Sequence, residues 1–224
     1  MAGVQPAYCV IGATTPAGSG GRQLEKPWWE ESYRDLESST FGIVGDDIRL
    51  LIHLAQPRSN VLDLGCGDGR IAMFLAENGF HVSAFDISAQ AIRKLKYRAA
   101  AKKLEMHAFE ADMRNYSFNR VFDVVIAHGS LMLVERRFWQ RVIREMKHWT
   151  APGGFNVLAV ITDSAPTPEN LRPFCLGIFH EGELRSLYED WDLQFWQTKT
   201  KMDTNLPETR LIPLNKLIAR KPSH

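Results

Sequence analysis

Val61-Leu62-Asp63-Leu64-Gly65-Cys66-Gly67-Asp68-Gly69 is the stretch whose reading decides the fold. A short apolar run enters a loop with glycine at every second position. Arg70 to Glu77 then continues with Ile71, Phe74 and Leu75 at helical spacing, and Asn78-Gly79 stops it. Glycine lets a backbone turn tightly where a side chain would block a ligand, so strand, loop and helix form one cradle. The spacing is G-x-G-x-G, and Arg70 stands where the dinucleotide fingerprint has its third glycine. Asp63 sits inside the strand, where its charge would oppose phosphates and attract an ammonium group.

Outward from that stretch, strands and helices alternate. His81 to Phe85 reads as a second strand ending at Asp86. Ser88 caps a helix with Ile92, Leu95 and Ala99 on one face. Leu104 to Glu110 and Val121 to Ala127 read as strands, the latter apolar enough for burial on both faces. Glu135 to Trp149 is a helix with Phe138, Val142, Met146 and Trp149 along one stripe, ended by Pro152-Gly153-Gly154; Phe155 to Ile161 is a fifth strand. Upstream, Pro27 opens a helix with Trp29, Tyr33 and Leu36 on one face. Asp46 and Asp47 open another, with Ile48, Leu51, Ile52 and Ala55 inward, and Gln56-Pro57 ends it. Residues 162–180 are loop-like, a short helix carries Leu184, Leu187 and Tyr188, and Trp191 to Thr200 and Leu211 to Lys221 read as an antiparallel edge pair. Alternation of this kind implies an α/β fold with right-handed crossovers and a mostly parallel sheet.

Asp86 suits a carboxylate that accepts hydrogen bonds from both ribose hydroxyls. Asp112, after the third strand, offers an acceptor for an exocyclic amine. The ligand implied has a cationic amino-acid end, a ribose and an adenine but no phosphate, which describes S-adenosylmethionine. Asp63 to Gly69, Asp86, Ala111-Asp112-Met113 and Phe122-Asp123-Val124-Val125-Ile126 together resemble the class I S-adenosylmethionine-dependent methyltransferases. The resemblance implies a Rossmann-like, doubly wound seven-stranded sheet, mostly parallel with an antiparallel edge strand. It also implies that Gly65 and Gly67 line the methionine moiety with Asp63 near its amino group, that Asp86 and Ile87 meet the ribose side, that Asp112 and the Met113 backbone contact adenine, and that His128 lies beside the sulfonium. His148 to Asn156, Phe179 to Arg185, Tyr188 to Asp192 and Leu217 to Lys221 are similar to the tellurite-resistance (TehB-like) branch. The 197–212 stretch departs from that branch in lacking a Gly-Glu-Leu-His-like run.

Composition sets the outer limits. The 224 residues carry a net charge of +1, which argues against a nucleic-acid partner. Ala127-His128-Gly129-Ser130 also lacks the Asn/Asp-Pro-Pro-aromatic run of amino-methylating nucleic-acid enzymes. No span approaches the ~20 apolar residues of a membrane helix, since His128 interrupts the longest one, Phe122 to Val134. Cys9, Cys66 and Cys175 are too scattered for a disulfide framework or zinc site, so no metal is expected and a reducing, cytoplasmic location is. Residues 1–23 read as a flexible tail. Residues 24–224 read as one domain: 24–57 as helices forming a lid, 58–161 as the cofactor core, and 162–224 as the acceptor-side loop and edge strands. No oligomeric state follows from the sequence.

The acceptor is expected to be a small molecule: a thiol, a selenium or tellurium species, or an organic metabolite. For a protonated acceptor, His128 is the candidate base by location, and His180 a second acceptor-side group. Trp28, Trp29, Tyr33 and Phe41 are candidates for an aromatic lid, and Arg136 and Phe179 for acceptor contacts. A nicotinamide oxidoreductase is disfavoured by Arg70 and Asp63. A non-catalytic cofactor-binding protein is the alternative from another class.

Overall fold

A computed structural model describes residues 27–203 and 210–223. The tail expected at 1–23 and part of the last connection lie outside them. The elements in chain order are α1 (Trp28–Ser32), α2 (Asp46–Leu54), β1 (Asn60–Leu64), α3 (Arg70–Glu77), β2 (His81–Asp86), α4 (Ala89–Ala101), β3 (His107–Glu110), β4 (Phe122–His128), α5 (Arg136–Trp149), β5 (Thr150–Ile161), α6 (Glu183–Ser186), β6 (Asp192–Asp203) and β7 (Arg210–Arg220). The seven strands form one sheet in the order β3-β2-β1-β4-β5-β7-β6. Pairs among β1 to β5 are parallel, whereas β7 runs antiparallel to both β5 and β6. The expected doubly wound sheet with an antiparallel edge is borne out.

Strand alternation divides the core into two layers. Val61, Val124, Ile126, Val157 and Ile218 pack with Ile48, Leu51, Ile71, Leu75, Ile92 and Leu95 of α2, α3 and α4. Leu62, Val125, Ala127, Leu158 and Leu217 pack with Trp139, Val142, Ile143 and Met146 of α5. Each such burial contributes about 2 kcal/mol. That outweighs the missing side-chain cap at the start of α5 and fixes where the helix lies. Strand order reverses between β1 and β4, and ligands bind outside the carboxyl ends of strands at such a switch point.

Four local expectations are corrected. The first helix stops at Ser32 and does not reach Leu36, because the Asp35 carboxylate accepts the Glu37 and Ser38 N–H groups in a turn. The third strand begins at His107, since Lys103, at φ 57°, and Leu104, whose N–H bonds the Ala99 carbonyl, complete the end of α4. The buried face of α5 is centred on Trp139 and Ile143, leaving Phe138 and Trp149 half-buried. The fifth strand starts at Thr150: Phe122 pairs with Thr150 and Val124 with Phe155, so the Pro-Gly-Gly run is an irregularity inside it.

Candidate active site

The loop after β1 has three glycines in the left-handed region, at φ 67° for Gly65, 55° for Gly67 and 81° for Gly69. The N–H groups of Gly65 and Cys66 both bond the Phe85 carbonyl at the end of β2, at 2.9 and 3.0 Å, which seats the loop on the sheet edge. A Cβ on Gly65 would stand 2.4 Å from the Ser130 Cβ, and one on Gly69 2.1 Å from the Leu95 Cδ1. Sterics on both sides thus demand glycine at these positions.

Three carboxylates expected at a ligand behave differently. Asp63 is buried, and its Oδ2 has no hydrogen-bond partner in the structure. Burial pushes its pKa up to about 7, against the opposing charge of Arg70. A buried, unpartnered carboxylate oxygen under a glycine cradle is what a ligand ammonium would complete, so these residues fit the amino-acid end of S-adenosylmethionine. Asp86 accepts the Gly67 N–H at 2.8 Å through Oδ2 and the Ser88 N–H at 2.9 Å through Oδ1. Burial raises its pKa. Ile87 beside it is exposed at 59 %, unusual for isoleucine and suited to an apolar ring. Asp112 differs from expectation. Its carboxylate is occupied by Arg114, whose Nε and Nη2 lie 2.7 to 3.0 Å away and hold its pKa low. Met113 does reach the loop, its Cε lying 3.1 Å from where a Gly65 Cβ would be.

His128, at the end of β4, lies in a buried network that the sequence did not disclose. Its Nε2 is 2.8 Å from Asp47 Oδ2, its Nδ1 is 3.5 Å from Arg70 Nη2, and Lys216 Nζ bonds Asp47 Oδ1 at 2.7 Å. Arg70 donates, so Nδ1 accepts, and the proton belongs on Nε2 facing Asp47. Burial lowers the His128 pKa, with Arg70 and Lys216 adding to it and Asp47 opposing. Burial acts to raise Asp47, yet His128 and Lys216 hold it well below the carboxylate range. The imidazole is therefore neutral and tautomerically fixed at neutral pH.

The aromatic entry segment does come to the loop. Tyr33 Oη and Phe41 Cε2 lie 3.0 and 3.2 Å from where a Gly67 Cβ would stand. Edge-to-face contacts join Phe174, Trp29, Trp28, Phe41 and Tyr33 into one chain of rings, with neighbouring centroids 5.4 to 6.3 Å apart. Burial, then the nearby Asp86 and Asp68 charges, raise the Tyr33 pKa, so the phenol stays neutral. Two acceptor-side candidates have structural partners instead. Phe179 is fully buried and stacked on Trp139 at 4.0 Å, and Arg136 pairs with Glu183 while lying over the Trp139 ring. His180 is exposed, its Nδ1 2.6 Å from Asp163 Oδ2.

Asp47, Lys216, Ser130, Asp68 and Lys94 escaped the sequence reading. Asp47 looks like an acid opening a helix. Lys216 did carry a signal, since a lysine directly before the apolar run Leu217-Ile218-Ala219 has to find a buried partner. Among the described residues no group of three or more potential metal ligands occurs, and no helix is long and apolar enough to cross a membrane.

A family model described as tellurite resistance protein TehB matches residues 38–204. Hemagglutinin 1 of Eikenella corrodens is 34 % identical over 132 residues, covering 59 % of this chain and 43 % of that protein. The probable S-adenosyl-L-methionine-dependent methyltransferase TehB of Haemophilus influenzae is 28 % identical over 165 residues, covering 73 % and 56 %. The chain spans about half the length of the curated relatives it matches. The crystal structure of TehB from Haemophilus influenzae shares the fold, with a TM-score of 0.73 and 24 % identity over 86 % of this chain and 67 % of that one.

Proposed function

The chain belongs to the family of tellurite resistance protein TehB, among the class I methyltransferases, and from that premise we propose that it transfers a methyl group from S-adenosyl-L-methionine to a small-molecule acceptor. The acceptor class is a thiol, a selenium or tellurium species, or a small organic metabolite. The observation that carries the reading is the buried, unpartnered Asp63 oxygen beneath a loop whose three glycines all lie at positive φ, two of them with no room for a Cβ. A cytoplasmic location without nucleic-acid or membrane partners agrees with the near-neutral charge.

When bound, the sulfonium of the cofactor supplies an activated methyl group and a good leaving group. What remains for the chain is placement. Asp63 holds the amino-acid end, Gly65 and Gly67 allow close backbone approach, and Asp86 takes the ribose hydroxyls. Ile87 and the Met113 backbone bound the adenine, and Trp28, Trp29, Tyr33 and Phe41 cover the loop and exclude water. Orientation of this kind contributes roughly 7–11 kcal/mol to bimolecular steps. A thiolate or selenide needs nothing more. For a protonated acceptor, His128 is the proposed base through Nδ1, which gives up its contact with Arg70 as the acceptor enters, while Asp47 keeps Nε2–H in place. His180, exposed and oriented by Asp163, is the second acceptor-side group.

Calorimetry tests this reading directly. S-adenosylhomocysteine is expected to bind and NAD to give no heat; the reverse result overturns it. A pH series gives a sharper prediction. The folded-state pKa of Asp63 is raised to about 7, so without ligand it is largely protonated at pH 6 and ionised at pH 8. The ligand ammonium needs the ionised form. Affinity should therefore rise about tenfold between pH 6 and 8, with proton release on binding at pH 6. For the ligand-free fold the sign is opposite: the contribution of protonated Asp63 is lost as pH rises through about 7. Asp63→Asn should abolish both trends.

A further inference from the structure

We propose that Lys94 and Asp68 form a clasp that fastens the entry segment, residues 28–44, over the glycine loop and so governs how long the cofactor is retained. The inference rests on the reading that this loop holds S-adenosyl-L-methionine. It makes Lys94, on α4 and outside the loops that line the cofactor, a positioning residue.

Lys94 has no exposed surface, and its neighbours on the inner face of α4 are the apolar Ala91, Ile92 and Leu95. A buried ammonium weakens a fold unless it is well partnered. Its hydrogen bonds both go to the entry segment: Nζ donates to the Ser32 carbonyl at 3.1 Å and to the Thr40 hydroxyl at 3.0 Å. Asp68 Oδ2 stands 3.7 Å from the same nitrogen. Burial pulls the lysine pKa down, and Asp68 opposes that shift.

Asp68 is equally buried and belongs to the glycine loop itself, between Gly67 and Gly69, both at positive φ. Its Oδ2 accepts the Thr40 backbone N–H at 2.7 Å and Arg98 Nη1 at 3.2 Å, and its Oδ1 has no partner. The entry segment is thus held from two sides at one point, by the loop through Asp68 and by α4 through Lys94. Arg70 adds a bond to the Ile43 carbonyl at 3.0 Å, and Tyr97 one to Glu37 at 2.8 Å. The rings that cover Gly67, those of Tyr33 and Phe41, flank this anchor in sequence.

Chemistry makes such a clasp reversible. When the segment lifts, the two ions stay close together and gain water, so opening strands neither charge. When it closes, both must find partners, and they do so only with the loop in its cradle conformation. A methionine at position 94 would supply the same bulk without the two bonds to the entry segment, leaving Asp68 with Arg98 alone as its cation in the closed state. Fold stability alone gives no reason to prefer an ion pair there, since apolar replacement of a whole buried pair is commonly neutral, whereas removing only one partner is destabilising.

The test uses the full chain, with S-adenosylhomocysteine as the probe. Lys94→Met is expected to release it about tenfold faster than the unmodified chain, and the ligand-free melting midpoint to fall because one ion of a buried cluster is lost. The second readout is tryptic cleavage after Arg34, whose side chain is 64 % exposed. The ligand should slow that cut in the unmodified chain and leave it unslowed in Lys94→Met. Should Lys94→Met not fold, Thr40→Val on the half-buried segment should speed release about threefold. Unchanged release, or protection of Arg34 that survives in the variant, overturns the clasp. Failure of the unmodified chain to bind S-adenosylhomocysteine would instead overturn the reading of the loop.

Discussion

Asp86→Ala lowers the affinity for S-adenosylhomocysteine a hundredfold or more, a loss of at least about 3 kcal/mol. Two effects add. Charge-assisted hydrogen bonds to hydroxyls contribute roughly 1.5–3 kcal/mol each, and the variant makes none. Asp86 also organises the unliganded loop by accepting the Gly67 and Ser88 N–H groups at 2.8 and 2.9 Å. Removing it leaves those donors without their acceptor and loosens the cradle before any ligand arrives. Asp86→Asn separates the two contributions: an amide oxygen still accepts one N–H bond but carries no charge, so its loss should be intermediate. The measurement is calorimetric titration, paired with a melting curve of the ligand-free protein. Affinity unchanged in Asp86→Ala would mean that the ribose is held by other groups.

Gly65→Ala should destabilise the protein by about 4 kcal/mol or more and abolish ligand binding. The backbone contribution is about 1–2 kcal/mol, because alanine at φ 67° lies in the left-handed region. The remainder is steric, since the new Cβ would meet the Ser130 Cβ at 2.4 Å. Ser130 cannot turn aside, because its hydroxyl donates to the Leu64 carbonyl at 2.8 Å and its side chain is buried. The double variant Gly65→Ala/Ser130→Gly should recover part of the steric loss and none of the backbone loss. Urea denaturation of the two single variants and the double measures this directly. Full additivity of the two changes would show that the contact is not the cause.

The sheet and its cradle were legible because they are local. The run from Val61 to Gly69 states strand and turn within nine neighbouring residues with the helix following at Arg70, and Ser88 caps α4 with the expected bond to the Ala91 N–H. Asp63 was legible for the same reason: a carboxylate inside an apolar strand has to have a purpose. Other parts depend on contacts between distant positions. Asp47 and Lys216 come from α2 and β7, and only the sheet order sets β7 next to β5 and β5 next to β4, placing Lys216 in register with Ala159 and Ala159 with His128. Lys94 falls on the apolar stripe of its helix, where a lysine has no local meaning until Ser32 and Thr40 are seen above it. Phe179 is fully buried against Trp139, and Arg136 pairs with Glu183, contacts between segments that no local pattern announces. Asp112 has a partner that its position alone did not reveal, Arg114 two residues on.

The central claim is methyl transfer, and a labelled-methyl assay tests it most directly. The full chain is incubated with S-adenosyl-L-methionine carrying a labelled methyl group and a panel of thiols, selenite, tellurite, and catechol-like or carboxylate metabolites. The account predicts label in at least one small acceptor, one equivalent of S-adenosylhomocysteine formed per methyl transferred, and loss of both in Asp86→Ala. Binding of the cofactor with no label in any acceptor would contradict it and leave a cofactor-binding protein in place of an enzyme.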